Sequence, residues 1–413
     1  MACSHGTEVI RLEGSDECVN QKGTVMSGIV LSASVRQNLL SLQSTASLLA
    51  TTQNALATGN KVNSALDNPT NFFTAQGLNN RASDIGNLLD AIGNGVQVLQ
   101  AANTGLTSLQ SLVDTAKSIA NQVLQAPAGY TTHSTATSAA ALPVGSTSTN
   151  LVDGAAIKSG ETLTIGATGG GTATSFTFGA TTSLAQLNTA LASNNITASL
   201  DSSNDLVFTT TNDALSSTIG AITLGSAGTA TFGAVVAPTA DAASQATRSS
   251  LVSQYNNIIT QITTTAQDSS FNGINLLNGD NLKLTFDETA KSTLSITGVT
   301  FNASGLSLAS LTTGTDFLDN SSANAALTKL SAASTTLRTE ASALGSNLSV
   351  VQLRQDFNKN LINVLQTGAS NLTLADPNEE AANSQALSTR QSIATSALAL
   401  ANQSQQSVLQ LLR

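Results

Sequence analysis

Apolar residues recur every seven positions near both ends of this 413-residue chain, and that spacing constrains the fold more than any other feature. The first repeat consists of Val35, Leu42, Leu49 and Leu56, accompanied by Leu39 and Ala46. Such spacing is typical of helices that pack along a coiled-coil seam. Gly59 and Asn60 are expected to end this helix, because glycine is favoured just beyond a helix C-terminus.

Two longer repeats predict further helices. The second repeat runs through Ile85, Ile92, Leu99, Leu106, Val113 and Ala120. It predicts a helix of about 40 residues that is capped near Asp84 and closed by Pro127. A third frame contains Leu330, Leu337, Leu344, Val351, Leu365 and Leu372. Asn358 interrupts this frame, and the helix is expected over 322–374, before the break at Asp376-Pro377.

Two more helices complete the predicted helical part. One covers about 242–267, and the last covers about 379–412. The last helix carries on one face Ile393, Ala397, Leu400, Val408 and Leu411.

The middle of the chain is different, since alternating apolar and polar residues predict short strands between about 140 and 240. These runs are TLTIG, TSFTFGA, ITASLD and DLVFTTT, with a short helix over 183–193. A smaller β segment, LKLTF with TLSIT, lies between the C-terminal helices. Because the terminal helices need partners in water, those of the two ends are expected to pair. The predicted fold is α+β: long antiparallel, coiled-coil-like helices from both chain ends forming a rod, with a small β-rich outer domain inserted between them.

Composition excludes several function classes. Only 10% of the residues are charged and the net charge is −9, which argues against nucleic-acid binding. No stretch approaches 18 apolar residues, so no membrane insertion is expected, and residues 1–25 lack the apolar core of a secretory signal. With two histidines, and none of the motifs HExxH, GxSxG or GxxxxGK[ST], the chain is expected to be neither an enzyme nor a cofactor binder.

Three small clusters have alternative interpretations. Cys3, His5 and Cys18 could form a zinc site or a disulfide, but residues 1–25 are better interpreted as a disordered extension or a mis-assigned start before Met26. The glycines over 166–171 are interpreted as a turn between strands rather than a phosphate loop. Asp376 and the glutamates after it are interpreted as the N-terminal cap of the last helix rather than a cation site, so no metal is expected.

Several motifs resemble those of bacterial flagellins. The stretch LATGNKVNSALDNP (56–69) resembles the turn after the first flagellin helix, and FNGINLLNG (271–279) matches a second flagellin signature. The segment LADPNEEAAN (374–383) stands where flagellins carry an acidic turn, and ALANQSQQSVLQLLR (399–413) resembles the flagellin C-terminus. Part of the middle, ITASLDSSNDLVFTTT, resembles a repeat of flagellar hook-associated proteins.

The resemblance implies a domain organisation. After the extension, 26–63 would be an N-terminal inner-tube helix and 64–126 the N-terminal half of a helical shell. A variable outer β-rich domain would follow over 127–245. The C-terminal half of the shell, with a small hairpin, would cover 246–376, and 377–413 would be the C-terminal inner-tube helix.

The resemblance also implies a function: a secreted subunit that polymerises with itself into the extracellular filament of the bacterial flagellum for swimming. The implied partners are the type III export apparatus, an export chaperone, the filament cap and the hook-associated proteins. Two alternatives stay open, a hook–filament junction protein and a flagellin-like surface adhesin that binds glycans. The stripes themselves would also fit an ordinary helical bundle, but their uncharged flanks favour a dense assembly.

Two sets of residues are singled out. The inner contact between terminal helices is expected to use Val35, Leu39, Leu42, Leu49, Leu56, Ile393, Ala397, Leu400, Val408 and Leu411. The second set concerns flagellins recognised by the vertebrate toll-like receptor for flagellin, which carry an Arg, a Leu and a Gln on the long N-terminal-half helix. The aligned residues here are Thr115, Ile119 and Gln122, and the missing Arg predicts weak receptor activation.

Overall fold

The computed structural model describes residues 33–139, 148–225 and 228–411, and the extension with Cys3, His5 and Cys18 lies outside them. The helices are α1 (Ala33–Thr58), α2 (Pro69–Gln125), α3 (Leu184–Leu191), α4 (Ala242–Asp268), α5 (Asn320–Thr373) and α6 (Pro377–Leu411). The chain therefore has long helices near both ends and a β-containing middle, as predicted. No helix in the described ranges is long and apolar enough to cross a membrane.

The strands are short and antiparallel. They are β1 (Thr135–Thr137), β2 (Thr162–Ile165), β3 (Thr174–Thr177), β4 (Ile196–Leu200), β5 (Leu206–Thr210), β6 (Ile222–Leu224), β7 (Leu282–Thr285) and β8 (Thr293–Ile296). One sheet has the order β1-β5-β4, another has β3-β2-β6, and β7 pairs with β8 in a separate hairpin. The glycines over 166–171 lie in the turn between the paired strands β2 and β3, as expected.

The chain divides into two compact units. The first consists of the described residues up to Gly77 and from Gly368 onward, and contains α1, α6 and the neighbouring ends of α2 and α5. The second runs from Leu78 to Thr367 and contains the rest of α2 and α5, with α3, α4 and all the strands.

The second unit has a continuous apolar core that follows the predicted heptads. In α2 the residues Ile92, Leu99, Leu106 and Val113 are at most 2% exposed, and they cluster with Leu330, Leu337, Leu344 and Val351 of α5. Helix α4 and the β7–β8 hairpin cover the remaining sides of this cluster, through residues such as Tyr255 and Leu284. Burial raises the pKa of Tyr255 to about 12, because its phenolate would lie in an apolar surrounding.

Three buried polar side chains in this unit donate hydrogen bonds to backbone carbonyls. Asn358, which interrupts the α5 frame, is 2% exposed, and its Nδ2 donates to the carbonyl of Phe286 at the end of β7. Asn275 of FNGINLLNG donates through its Nδ2 to the last carbonyls of α4, those of Ala266 and Gln267, both at 2.8 Å. Arg248, which is also 2% exposed, donates to the carbonyls of Ala126, Pro127 and Phe317.

The start of α2 differs from the prediction. The expected cap near Asp84 is wrong, because the helix begins 15 residues earlier at Pro69 and contains 57 residues. Proline fits the first helical position, where its missing N–H leaves no hydrogen bond unmade. The side chain of Asn68 caps this start, since its Oδ1 accepts from the backbone N–H of Asn71 at 3.0 Å. Asn68-Pro69 is therefore the start of a helix.

The phenylalanines of the β-rich region fill its core. Phe178 and Phe208 are buried, and Phe176 and Phe232 pack against them at ring-centroid distances of 5.3 and 5.1 Å. These rings are therefore not an exposed platform on which sugars could stack, which is the feature that a glycan-binding adhesin would use.

Candidate assembly interface

The first unit is built on the antiparallel pair α1–α6, and the segments beside these helices hold the pair together. The backbone N–H of Lys61 donates to the carbonyl of Thr373 at 2.8 Å, and the N–H of Ala375 donates to the carbonyl of Gly59 at 2.9 Å. Gly59 has a φ of +72°, a left-handed conformation that lets the chain leave α1 at once. The end of α1 is thereby fixed beside the start of α6.

The turn between α1 and α2 is organised by one carboxylate. Asp67 accepts through Oδ2 from the backbone N–H groups of Asn63 and Ser64, both at 2.9 Å, and from the Ser64 hydroxyl. The hydrogen bonds from these backbone groups lower the pKa of Asp67, because they stabilise its charged form. The polar residues of the motif LATGNKVNSALDNP thus form the turn that separates the two helices.

Helix α6 begins with the predicted cap. Asp376 accepts through Oδ1 from the backbone N–H of Asn378 at 2.8 Å, and Glu379 and Glu380 lie in the first turn. Negative charge at this end is favourable because the N-terminus of a helix carries partial positive charge. Across the described ranges, no three His, Cys, Asp or Glu side chains are grouped so that they could hold a metal.

The face that α6 presents to α1 consists mostly of small and polar residues, with two leucines among them. Its half-buried residues alternate at spacings of four and three, which is the period of a coiled-coil seam: Glu380, Ser384, Leu387, Gln391, Ala394, Leu398 and Ala401. On α1 the buried residues also include polar ones, Thr45 at 3% and Thr52 at 9% exposed, beside Val35 at 2%. The seam therefore buries less apolar surface than a seam of Ile, Leu and Val would.

Several residues predicted for the inner contact lie elsewhere on these helices. Val35 is buried and Leu42 and Leu49 are half-buried, whereas Leu39 and Leu56 are 37% and 43% exposed. On α6, Ile393 is 65% exposed, Leu400 is 69% exposed, and Ala397 is also exposed. The side chains of Val408 and Leu411 lie outside the described part of the structure.

The structure thus separates two faces of α6 that the sequence did not distinguish. Residues 393, 397 and 400 form an outer stripe, whereas Ala394, Leu398 and Ala401 lie in the inner seam. The seam could have been found from its own heptad spacing, but its alanines and polar residues give a weaker signal than a continuous run of Ile and Leu.

The outer stripe leaves apolar surface uncovered in the single subunit. Burying Ile393 and Leu400 against another surface would contribute about 1.5–3 kcal/mol for each side chain. Only Arg36 is charged in α1, and α6 adds Glu379, Glu380 and Arg390, so little charge repulsion opposes close packing. The α1–α6 pair is chemically suited to bind other helices.

The three residues predicted to affect receptor recognition lie in the second half of α2. Thr115 and Gln122 are exposed, and the Thr115 hydroxyl donates to the carbonyl of Ser111. Ile119 is 5% exposed and belongs to the core cluster. Two of the three positions therefore present surface in the single subunit.

Comparison with known proteins connects these helices to one family. Residues 30–141 match the family model described as the bacterial flagellin N-terminal helical region, and 327–412 match the bacterial flagellin C-terminal helical region. The first range contains the whole of α1 and α2, and the second contains most of α5 and the whole of α6.

Individual relatives carry the same description. The chain is 32% identical to Flagellin FljK of Caulobacter vibrioides over 165 residues, and 30% identical to Flagellin FljM of the same organism over 164 residues. Each match covers 40% of this chain and 59% of the relative. Flagellin A of Rhizobium meliloti is 37% identical over 90 residues, which cover 22% of this chain and 23% of the relative. The chain thus spans about three fifths of the length of the Caulobacter relatives it matches.

Proposed function

The chain carries both helical regions of the bacterial flagellin family, and from that premise we propose that it is the structural subunit of a flagellar filament used for swimming. Its function is then mechanical rather than enzymatic. The observation that carries the proposal is the α1–α6 pair, whose seam is mostly small and polar while Ile393 and Leu400 stay uncovered.

Assembly would supply the partners that the first unit lacks. When a subunit joins the filament tip, its terminal helices would pack against those of its neighbours, and burial of their apolar residues would offset the loss of chain entropy. The proposed contact residues are Val35, Leu39, Leu42, Leu49, Leu56, Ile393, Ala397, Leu400, Val408 and Leu411.

Family membership also supports a set of partners and a location. The subunit would be secreted through the flagellar type III export apparatus with the help of an export chaperone. It would assemble beneath the filament cap and beyond the hook-associated proteins, outside the cell. Its main partner would be further copies of itself.

The proposal is tested by dissociating the polymer with heat and following repolymerisation by electron microscopy. The wild-type protein is expected to reform filaments. A variant with Ile393→Asp and Leu400→Asp is expected to remain a folded monomer, because both side chains are exposed in the single subunit and the charges block their burial. Leu42→Asp with Leu49→Asp is expected to have the same effect on assembly.

Val236→Asp is the matched control, since Val236 is an aliphatic residue of the β-rich region that is 60% exposed. Its filaments are expected to be normal. A wild-type protein that never polymerises would contradict the proposed function. Normal filaments from the Ile393 and Leu400 variant would remove the outer stripe of α6 from the assembly contact.

A second part of the proposal concerns host recognition. Because Thr115 stands where the receptor-recognised flagellins carry an arginine, the purified protein is expected to activate the toll-like receptor for flagellin only weakly. A strong response in a cell reporter assay would contradict this expectation.

A further inference from the structure

Helix α5 carries an apolar stripe that nothing in the described part of its own chain covers. Its members are Val350, Leu353, Phe357 and Val364, which are 43%, 72%, 56% and 66% exposed. Their spacing of three, four and seven residues places them on one face of the helix. The core-facing residues of the same helix, Val351, Asn358 and Leu365, are at most 7% exposed, so α5 has a buried face and a separate exposed apolar one.

Some glycines of helix α2 are required by close packing within the chain, and others are not. A Cβ atom at Gly95 would meet Leu284, and one at Gly105 would meet Ser269 and Leu277, so close packing within the subunit accounts for those two. A Cβ atom at Gly86 or Gly93 would meet nothing within 4 Å. Glycine inside a helix is destabilising relative to alanine, so the open space at these two positions suits the approach of a large group from outside.

The spacings of the two surfaces match. Gly86 and Gly93 are seven residues apart on one flank of α2, and Val350 and Phe357 are seven residues apart on α5. Ile85 and Leu365 pack in one cluster and the two helices run antiparallel, so Gly93 lies at about the level of Phe357. In a neighbour of the same orientation that is displaced along the helix axis by about seven residues, or about 10 Å, Val350 would meet Gly93 and Phe357 would meet Gly86. Arg354 would then lie at the level of Asp90.

The charges of the two surfaces are complementary. Asp90 is exposed between the two glycines and makes no ion pair with any residue in the described ranges. Arg354 is exposed beside Phe357, with its guanidinium 5.8 Å from the centre of the Phe286 ring and no carboxylate bound among the described residues. A cation on one surface and an anion on the other favour a single register.

We propose that the α5 stripe of one copy docks onto the Gly86–Gly93 flank of α2 in a second copy of this chain, with Arg354 facing Asp90. The contact joins two different surfaces, so it is heterologous and leaves one of each surface free at either end of a chain of subunits. This proposal rests on the proposed function, and it assigns a contact between subunits that lies outside the terminal helices.

The first test fills the glycine flank. Gly93→Leu is expected to leave the circular dichroism and the thermal midpoint of the monomer unchanged or improved, because the space is open, and to lower the rate of seeded polymerisation about tenfold or more. Gly345→Leu is the matched control, since Gly345 is also a helical glycine with open space around it and lies on neither surface. Equal polymerisation by both leucine variants, or equal loss in both, would overturn the contact.

The second test exchanges the charges. Asp90→Arg and Arg354→Asp are each expected to slow seeded polymerisation, and the double variant is expected to recover most of the loss. A double variant no better than the worse single variant would overturn the pairing. If the wild-type protein forms no polymer, the proposed function falls together with this contact. If it polymerises and the glycine and charge variants behave as wild type, only this contact falls.

Discussion

The α1–α6 pair and the α2–α5 pair have the same seven-residue spacing but bury different side chains. Between α2 and α5 the seam consists of Ile, Leu and Val, with Leu106 and Leu337 at most 2% exposed. Between α1 and α6 it contains threonine, serine, glutamine and alanine beside a few half-buried leucines, and none of the apolar clusters in the described part of the chain includes a residue of α1 or α6. The spacing predicts a helix that packs against a partner. The size and polarity of the seam residues determine how much apolar surface a partner helix in the same chain buries.

A second difference is the number of elements around each pair. Helix α4, the β7–β8 hairpin and the loop that contains Asn275 all pack against α2 and α5 within the second unit. In the first unit, α1 and α6 are the full-length helices, and Ile393 and Leu400 remain exposed. We therefore expect the stability of the second unit to be intrinsic and that of the first to depend on assembly.

The largest expected effect comes from truncating the seam of the second unit. Leu337→Ala should lower the free energy of unfolding by about 3 kcal/mol, since it removes a fully buried side chain and leaves a cavity. Leu400→Ala in α6 should change it by less than about 0.5 kcal/mol, because Leu400 is exposed in the monomer. Urea unfolding of the monomer, followed by circular dichroism, measures both.

A large loss from Leu400→Ala in the monomer would show that Leu400 already has an apolar partner within the chain. The comparison between the two pairs would then be wrong. Similar losses from the two variants would have the same meaning.

The next effect concerns the polar residue inside the α2–α5 region. Asn358→Ala should cost about 1–3 kcal/mol, because it leaves the buried carbonyl of Phe286 without its donor. Asn360→Ala is the control, since Asn360 is exposed on the same helix. If Asn358→Ala leaves the free energy of unfolding unchanged, the hydrogen bond from Asn358 to the hairpin does not stabilise the fold.

The same residues show how much could be predicted from the sequence. The heptads predicted α5 to within two residues at its start, and the acidic residue before Pro377 predicted the cap of α6. Both depend on local spacing and local hydrogen bonds, which a sequence displays directly.

The features that were missed have three different causes. Asn358 is buried because a carbonyl 72 residues away in sequence needs a donor, and heptad spacing carries no information about that carbonyl. The start of α2 at Pro69 was missed because its first turns lack the apolar frame that marks the rest of the helix. The direction of the Ile393 stripe was missed because an apolar stripe has the same spacing whether its partner is in the same chain or in another.

A smaller effect compares covered and uncovered glycines of α2. Gly93→Ala should raise the free energy of unfolding of the monomer by up to about 1 kcal/mol, because alanine favours the helix and the space is open. Gly105→Ala should lower it by about 1–3 kcal/mol, because the new Cβ would overlap Ser269 and Leu277. Thermal unfolding of the monomer distinguishes these opposite signs, and equal signs would contradict the difference in packing.

The smallest effect is the response of two turns to acid. Asp67 in the first unit and Asp287 in the second both have a lowered pKa, Asp67 chiefly through the backbone N–H groups of Asn63 and Ser64, and Asp287 chiefly through the hydroxyl of Thr289. A carboxyl group whose pKa is lower in the folded state contributes stability above its unfolded pKa of about 3.9, and loses it as the pH falls through the folded value. Both turns should therefore weaken below about pH 4.

Only the first turn lacks a large core beside it, so its loss should be the one that is observed. Hydrogen exchange of the monomer between pH 6 and 3, corrected for the intrinsic rate, should show protection around Asn63 and Ser64 falling before protection around Ser292. Asp67→Asn should weaken the first turn at pH 6 and remove most of its further pH dependence. If protection around Ser292 falls first, the hairpin is the weaker of the two turns, and the core of the second unit does not stabilise it.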